Sequence, residues 1–220
     1  MTGQRIIIVD DHPLFRDALS LAISAALPGA EILGAGSLDE LSERLDTDNN
    51  LDLVLLDLTM PGVKGLSGLL YLRAEHPQIP VVIVSATEDA TTIHRCMDCG
   101  ASGFVPKSVP EHEIKEAVLA VLAGELWVPQ GLVSDRVDDK ETSDIIARIS
   151  TLTPQQIRVL MMLDDEGISN KLIAYRFGVK EATIKAHVSE ILKKLDVDNR
   201  TQASNAFKKV SALDWQKAKA

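Results

Sequence analysis

Cysteine is scarce. Cys96 and Cys99 are the only two in 220 residues, which excludes a disulfide-built secreted scaffold. No second pair of metal ligands lies near them in the sequence, so a zinc or redox role is set aside in favour of packing. Long apolar stretches are missing too. None approaches the roughly 20 residues that a membrane-spanning helix needs. The start, Met1-Thr2-Gly3-Gln4-Arg5, lacks a signal-peptide layout, so a cytoplasmic protein with no membrane partner is expected. No internal repeat or low-complexity tract is evident. Disorder is excluded by a hydrophobic fraction of 45%, enough to build real cores.

Charge is unevenly spread. Residues 1–124 carry 8 basic and 18 acidic side chains, residues 125–150 carry 3 and 6, and residues 151–220 carry 12 and 8. The front is acidic and the tail basic, so an anionic polymer would meet the tail.

Within the first 124 residues, short apolar runs alternate with helical periodicity five times. Ile6–Val9, a run near Ile32, Leu53–Leu56, Val81–Val84 and a run at Phe104 are each followed by a helix-like segment. The first helix is expected to begin near Pro13 and to be closed by Pro28-Gly29, and the others are expected near 37–46, 64–75, 89–99 and 111–123. On the first, Leu14, Ala18, Leu21, Ala22 and Ala25 share one face and are expected to pack inward. Continuous apolar runs suit strands covered on both faces, so the fold class is α/β: a doubly wound, five-stranded parallel sheet of flavodoxin-like type. Such a sheet holds its ligand at the carboxyl ends of its strands. Asp10, Asp11, Asp57, Ser85 and Lys107 all sit there. Three carboxylates in one crevice call for a hard divalent ion, Mg²⁺. Asp57 would be the nucleophile that takes a phosphoryl group, Lys107 would offset charge on its oxygens, and Ser85 would donate a hydrogen bond. His12 is read as structural or peripheral, because Asp57 already fills the acceptor position.

The motifs Val9-Asp10-Asp11-His12-Pro13, Asp57-Leu58-Thr59-Met60-Pro61-Gly62, Ser85-Ala86 and Gly100–Lys107 stand in this order. With them about residues 4–124 resemble the receiver domain of bacterial two-component response regulators. The resemblance implies that Asp57 is the phosphoacceptor, that Asp10, Asp11 and Asp57 hold Mg²⁺, and that Ser85 and Phe104 form a switch pair. On phosphorylation the aromatic ring would swing inward. A sensor histidine kinase would be the phosphoryl donor.

Residues 125–150 read as a linker with a short helix near 144–149. The last 70 residues, 151–220, read as a small all-α domain. Thr153-Pro154-Gln155-Gln156 is a capping box, and the first helix would stop near Gly167. Ser169 caps a second helix ending at Phe177-Gly178. A third spans about 181–195 and a fourth about 200–210. Two helices joined by a short glycine turn form a helix-turn-helix. On the third, Ile184, Val188, Ile191, Leu192 and Leu195 face the core. Lys185, Ala186, Ser189 and Lys193 face out, fit to enter a major groove. Asn170, Lys171, Thr183, Lys194 and Arg200 are candidates for phosphate contacts. The motifs Leu152-Thr153-Pro154, Gly167–Lys171, Ala182–Val188 and Asn199-Arg200-Thr201 make the tail resemble the LuxR-type helix-turn-helix of the NarL/FixJ class. Lys180 departs from that pattern, since serine is frequent there and lysine caps a helix poorly.

The resemblance implies a phosphorylation-dependent DNA-binding transcription regulator, active as a homodimer through its fourth tail helix. It is not an enzyme beyond phosphotransfer to itself and self-dephosphorylation. Two rivals are a phosphorylation-controlled protein-interaction adaptor and a DNA-binding regulator independent of phosphorylation.

Overall fold

The computed structural model describes residues 3–47, 50–60, 63, 65–129, 140–163 and 168–211. Apolar runs with no polar face to offer water become strands. They are β1 (Arg5–Val9), β2 (Glu31–Ala35), β3 (Leu53–Asp57), β4 (Val81–Ser85) and β5 (Gly103–Pro106). They form one parallel sheet in the order β2-β1-β3-β4-β5. Between them run α1 (Pro13–Ala26), α2 (Leu38–Thr47), α3 (Ser67–Glu75) and α4 (Ala90–Asp98), with α5 (Glu111–Leu122) after β5. Alternate strand residues serve opposite faces. Ile6, Ile8, Leu55 and Val84 pack with Leu19, Ile23 and Val118, from α1 and α5. Ile7, Val54, Leu56 and Ile83 pack with Leu41, Leu69 and Ile93, from α2 to α4. The strand order reverses between β1 and β3, which opens a crevice at their carboxyl ends.

One apolar pattern points the other way. On α1 the residues turned inward are Leu19, Ala22 and Ile23. Leu14 and Leu21 are 86% and 75% exposed, and Ala18 and Ala25 are also exposed. Helix α1 therefore carries two apolar stripes. The sheet takes the one bearing the β-branched Ile23, and the Leu14 stripe faces solvent.

The expected linker belongs in part to both folded units. Trp127 makes a parallel bridge to Gly103 at the β5 edge, and its carbonyl accepts from the Phe104 N–H at 3.0 Å. Helix α6 (Lys140–Ile149) is longer than the short helix expected. It buries Thr142, Ile146 and Ile149 and packs on the tail helices. The acidic residues Asp135, Asp138 and Asp139 lie outside the described residues, as do Lys64, Pro61, Gly62 and Gly167.

The tail holds α7 (Pro154–Leu163), α8 (Asn170–Phe177), α9 (Glu181–Leu195) and α10 (Arg200–Ser211). The capping box forms: Gln156 Oε1 accepts from the Thr153 N–H at 3.0 Å, and Thr153 Oγ1 accepts from the Gln156 N–H at 3.4 Å. Ser169 Oγ caps α8 by accepting from the Leu172 N–H at 3.2 Å. The turn to α9 needs a left-handed residue, and Gly178 supplies it at φ +65°. Lys180, ahead of α9, makes no side-chain cap.

Receiver and tail share an apolar cluster that runs from Leu69 and Leu72 to Ile149, Leu152 and Ile157. Helix α3 packs on α7, and the Leu66 N–H donates to the Ser211 carbonyl at 3.2 Å. No helix among the described residues is long and apolar enough to cross a membrane.

Candidate phosphoryl pocket and nucleic-acid surface

The strand ends gather. Asp57 closes β3 and Asp10 follows β1, each about 1% exposed. Lys107 reaches over from the end of β5. Its Nζ lies 2.6 Å from Asp10 Oδ2 and 3.0 Å from Asp57 Oδ2, and 4.7 Å from the centre of the Phe15 ring. Burial pushes the Asp57 carboxyl above its ordinary range. Lys107 and the Thr59 backbone N–H pull it back, and the Asp10 charge adds to the rise. Asp57 Oδ1 is buried and lacks a hydrogen bond of normal geometry among the described residues. Asp57 lines a cleft of about 600 Å³ together with His12, Leu14, Phe15, Thr59, Ala86, Thr87 and Lys107.

Donor atoms of Asp10, Asp11, His12 and Asp57 lie within 4.8 Å of one another. Clustered carboxylates, two of them (Asp11 and Asp57) with a buried Oδ1 that lacks a normal hydrogen bond among the described residues, suit a hard divalent ion, so the acidic pocket is compatible with Mg²⁺. The His12 ring, expected to be structural or peripheral, is part of this cluster. The signal for it was adjacency to Asp10-Asp11.

Ser85 and Phe104 are fully buried. Ser85 Oγ accepts from the Thr87 N–H at 3.2 Å. The Phe104 ring is wholly buried in this structure. It has no hydroxyl to favour an outer position, and burying the whole ring is favourable.

Cys96 and Cys99 are buried and free. Burial pushes the Cys99 thiol up to about 12 and raises Cys96 well above the usual thiol value.

On α9, Ile184, Ile191 and Leu195 are buried and Val188 and Leu192 pack against the same cluster. Lys185, Ala186, Ser189 and Lys193 are exposed on the opposite side. That face also shows Glu181 and Glu190, so it is mixed in charge rather than purely basic. Lys185 Nζ sits 2.9 Å from Glu181 Oε1. The Ser189 hydroxyl donates to the Lys185 carbonyl at 3.0 Å, which leaves its oxygen facing out as an acceptor. His187 is half-buried.

Of the phosphate-contact candidates, Lys171 and Thr183 are exposed and Asn170 is half-buried. Two others are tied down inside the tail. Arg200 Nη2 donates to the Ile168 carbonyl at 2.7 Å. Lys194 Nζ donates to the Thr151 carbonyl at 2.8 Å and to Gln156 Oε1 at 2.9 Å, clamping the end of α9 to the start of α7. Lys194→Met keeps the aliphatic stem and removes the donor. It is expected to cost about 1–2 kcal/mol, read as a lower melting temperature, with the salt dependence of DNA binding unchanged.

A parallel α/β sheet with an acidic pocket, joined to a four-helix tail around a helix-turn-helix, defines a receiver with an effector module. The comparisons agree. Residues 6–119 match the response regulator receiver domain, and residues 150–207 match the bacterial regulatory proteins of the luxR family. The chain is 41% identical over 205 residues to the glycerol metabolism activator of Pseudomonas putida, covering 90% of this chain and 92% of that one. It is 30% identical over 201 residues to the nitrate/nitrite response regulator NarL of Escherichia coli strain K12, with 90% and 92% covered. A LuxR family DNA-binding response regulator from Silicibacter pomeroyi superposes with TM-score 0.51 at 30% identity, over 58% of this chain and 98% of that chain. RcsB from Salmonella enterica serovar Typhimurium, bound to a promoter, shares the fold with TM-score 0.55 at 22% identity, over 93% and 98%. The chain belongs to the two-component response regulators that couple a receiver domain to a LuxR-type DNA-binding helix-turn-helix.

Proposed function

We propose that this regulator takes a phosphoryl group on Asp57 from a cytoplasmic sensor histidine kinase domain and then binds operator DNA as a homodimer. The observation that carries this reading is Asp57 itself. It is a buried carboxylate with one oxygen held by Lys107 at 3.0 Å and the other without a side-chain partner among the described residues. That second oxygen attacks phosphorus, an O–P bond forms, and the P–N bond to the donor imidazole breaks. Asp10, Asp11 and Asp57 are the residues that would hold Mg²⁺, which supplies charge neutralisation at the phosphoryl oxygens. Lys107 adds a second positive charge, and Ser85 is the hydroxyl nearest in the strand order.

The path from Asp57 to the tail is short. Leu66, nine residues after Asp57, meets the Ser211 carbonyl at the end of α10 through its N–H. An acyl phosphate carries about −1.5 to −2 charges, and that added charge beside the Thr59 N–H is what would be relayed to the contact with α10. Lys185, Ala186, Ser189 and Lys193 stay exposed in this packed arrangement, so dimer formation is the controlled step.

The solvent-facing stripe Leu14, Ala18, Leu21 and Ala25 of α1 fits a second copy of the chain. It is apolar, broken only by Asp17 and Ser24, and a two-fold DNA site needs two reading helices about 34 Å apart. RcsB has been solved as dimers on DNA. In the tail, Thr201, Gln202 and Asn205 of α10 face out and would extend the contact. Leu14→Glu with Leu21→Glu is expected to weaken the phosphorylated dimer by about a hundredfold or more. Light scattering across a concentration series checks this, and a dimer of unchanged affinity would move the interface elsewhere.

A gel shift with genomic fragments, with and without acetyl phosphate, separates this reading from a protein-interaction adaptor. DNA binding should appear on phosphorylation and fall steeply as salt rises. No retained fragment at low salt would leave the adaptor.

A further inference from the structure

We propose that His12 supplies a nitrogen ligand to the receiver's metal site, and that this nitrogen widens the site's preference for a first-row transition dication over Mg²⁺. The proposal rests on the acidic pocket being a metal site.

Four observations carry it. His12 Nδ1 lies 2.8 Å from Asp11 Oδ1 and 3.2 Å from Asp10 Oδ1, so the ring is turned onto the acidic pair. Its backbone N–H donates to Asp10 Oδ1 at 2.8 Å. That bond and the following Pro13, which keeps His12 extended at φ −93° and ψ 101°, fix where the side chain starts. One donor atom each from Asp10, Asp11, His12 and Asp57 falls within 4.8 Å of the others. Asp57 Oδ1 and Asp11 Oδ1 are buried and without a normal hydrogen bond among the described residues, and Asp57 and His12 line the same cleft.

The chemistry follows from the donor set. Magnesium binds oxygen and keeps several waters, and it gains little from an imidazole. Nickel and zinc gain a good ligand, and the Irving–Williams order already favours them at a mixed nitrogen and oxygen site. The His12 side chain is 66% exposed, so Nε2–H can stay in water while Nδ1 turns its lone pair inward.

Calorimetric titration of the full chain, free of any histidine tag, with Ni²⁺ and with Mg²⁺ tests this in wild type and His12→Gln. An exposed position tolerates glutamine, and a thermal melt confirms folding. Removing a partner of a metal ligand typically costs about tenfold or more in affinity, and losing a ligand itself should cost at least that. The expected result is that loss for Ni²⁺ with Mg²⁺ affinity unchanged. Unchanged Ni²⁺ affinity would overturn the proposal and leave the Mg²⁺ site standing. An equal loss for both ions would also overturn it, making His12 a shaping residue. If wild type bound no Mg²⁺ at all, the metal-site reading would fall first and the proposal with it.

Discussion

Asp57→Asn takes up no phosphoryl group from acetyl phosphate under conditions in which the wild type gains one, and it loses the phosphate-dependent rise in operator binding. An amide oxygen is too weak a nucleophile to form the acyl phosphate, and among the described residues no other carboxylate shares the position of Asp57 between Lys107 and Asp10. Mass measurement of both proteins after identical treatment checks the first half, and DNA titration the second. The loss should not come from unfolding. Burial raises the Asp57 carboxyl above its ordinary value, so the fold favours its neutral form. The contribution of Asp57 to stability is therefore present below the ordinary carboxylate range and is lost as pH rises through its raised value. Asparagine is always neutral. The stability of the variant relative to wild type is expected to improve from acid to neutral pH. Relative stability that declines over that range would mean the Lys107 contact outweighs desolvation.

Lys185→Ala is expected to weaken operator binding by about 10- to 100-fold, the worth of a good base contact at about 1–3 kcal/mol. Binding to unrelated DNA should weaken far less. Lys185 is exposed in the first turns of α9, beside Ala186 and one turn before Ser189. Its ion pair with Glu181, 2.9 Å long, is exposed and worth little, so it does not prevent the ammonium from reaching a guanine edge. Titrations on operator and scrambled duplex at several salt concentrations decide the point. Equal losses on both, with a reduced salt slope, would make Lys185 a phosphate contact.

The strands were legible because four of them are unbroken apolar runs, and only buried parallel strands tolerate that. β2 was the faint one. It sits at the sheet edge, and Glu31 and Gly34 are exposed in it, so its pattern carries less signal. The polar residues at the strand ends were legible for a related reason: topology alone gathers them once the sheet is known. The inward face of α1 was misread. Leu14, Ala18, Leu21 and Ala25 keep helical spacing as well as Leu19, Ala22 and Ile23 do, and periodicity cannot say which stripe meets the sheet. Helix α6 had a signal, with Thr142, Ile146 and Ile149 at i, i+4 and i+7, but the acidic composition around it read as linker. Lys194 and Arg200 could not be placed, since their partners Thr151 and Ile168 lie 43 and 32 residues away. A long cation looks the same in sequence whether it clamps a carbonyl or meets a phosphate.

The most direct measurement is a genome-wide map of bound sites for wild type and Asp57→Asn, made side by side under the inducing condition. The account predicts a set of sites occupied by the wild type and vacated by the variant. Identical maps would show a DNA-binding regulator whose occupancy owes nothing to Asp57, and the central claim would be wrong.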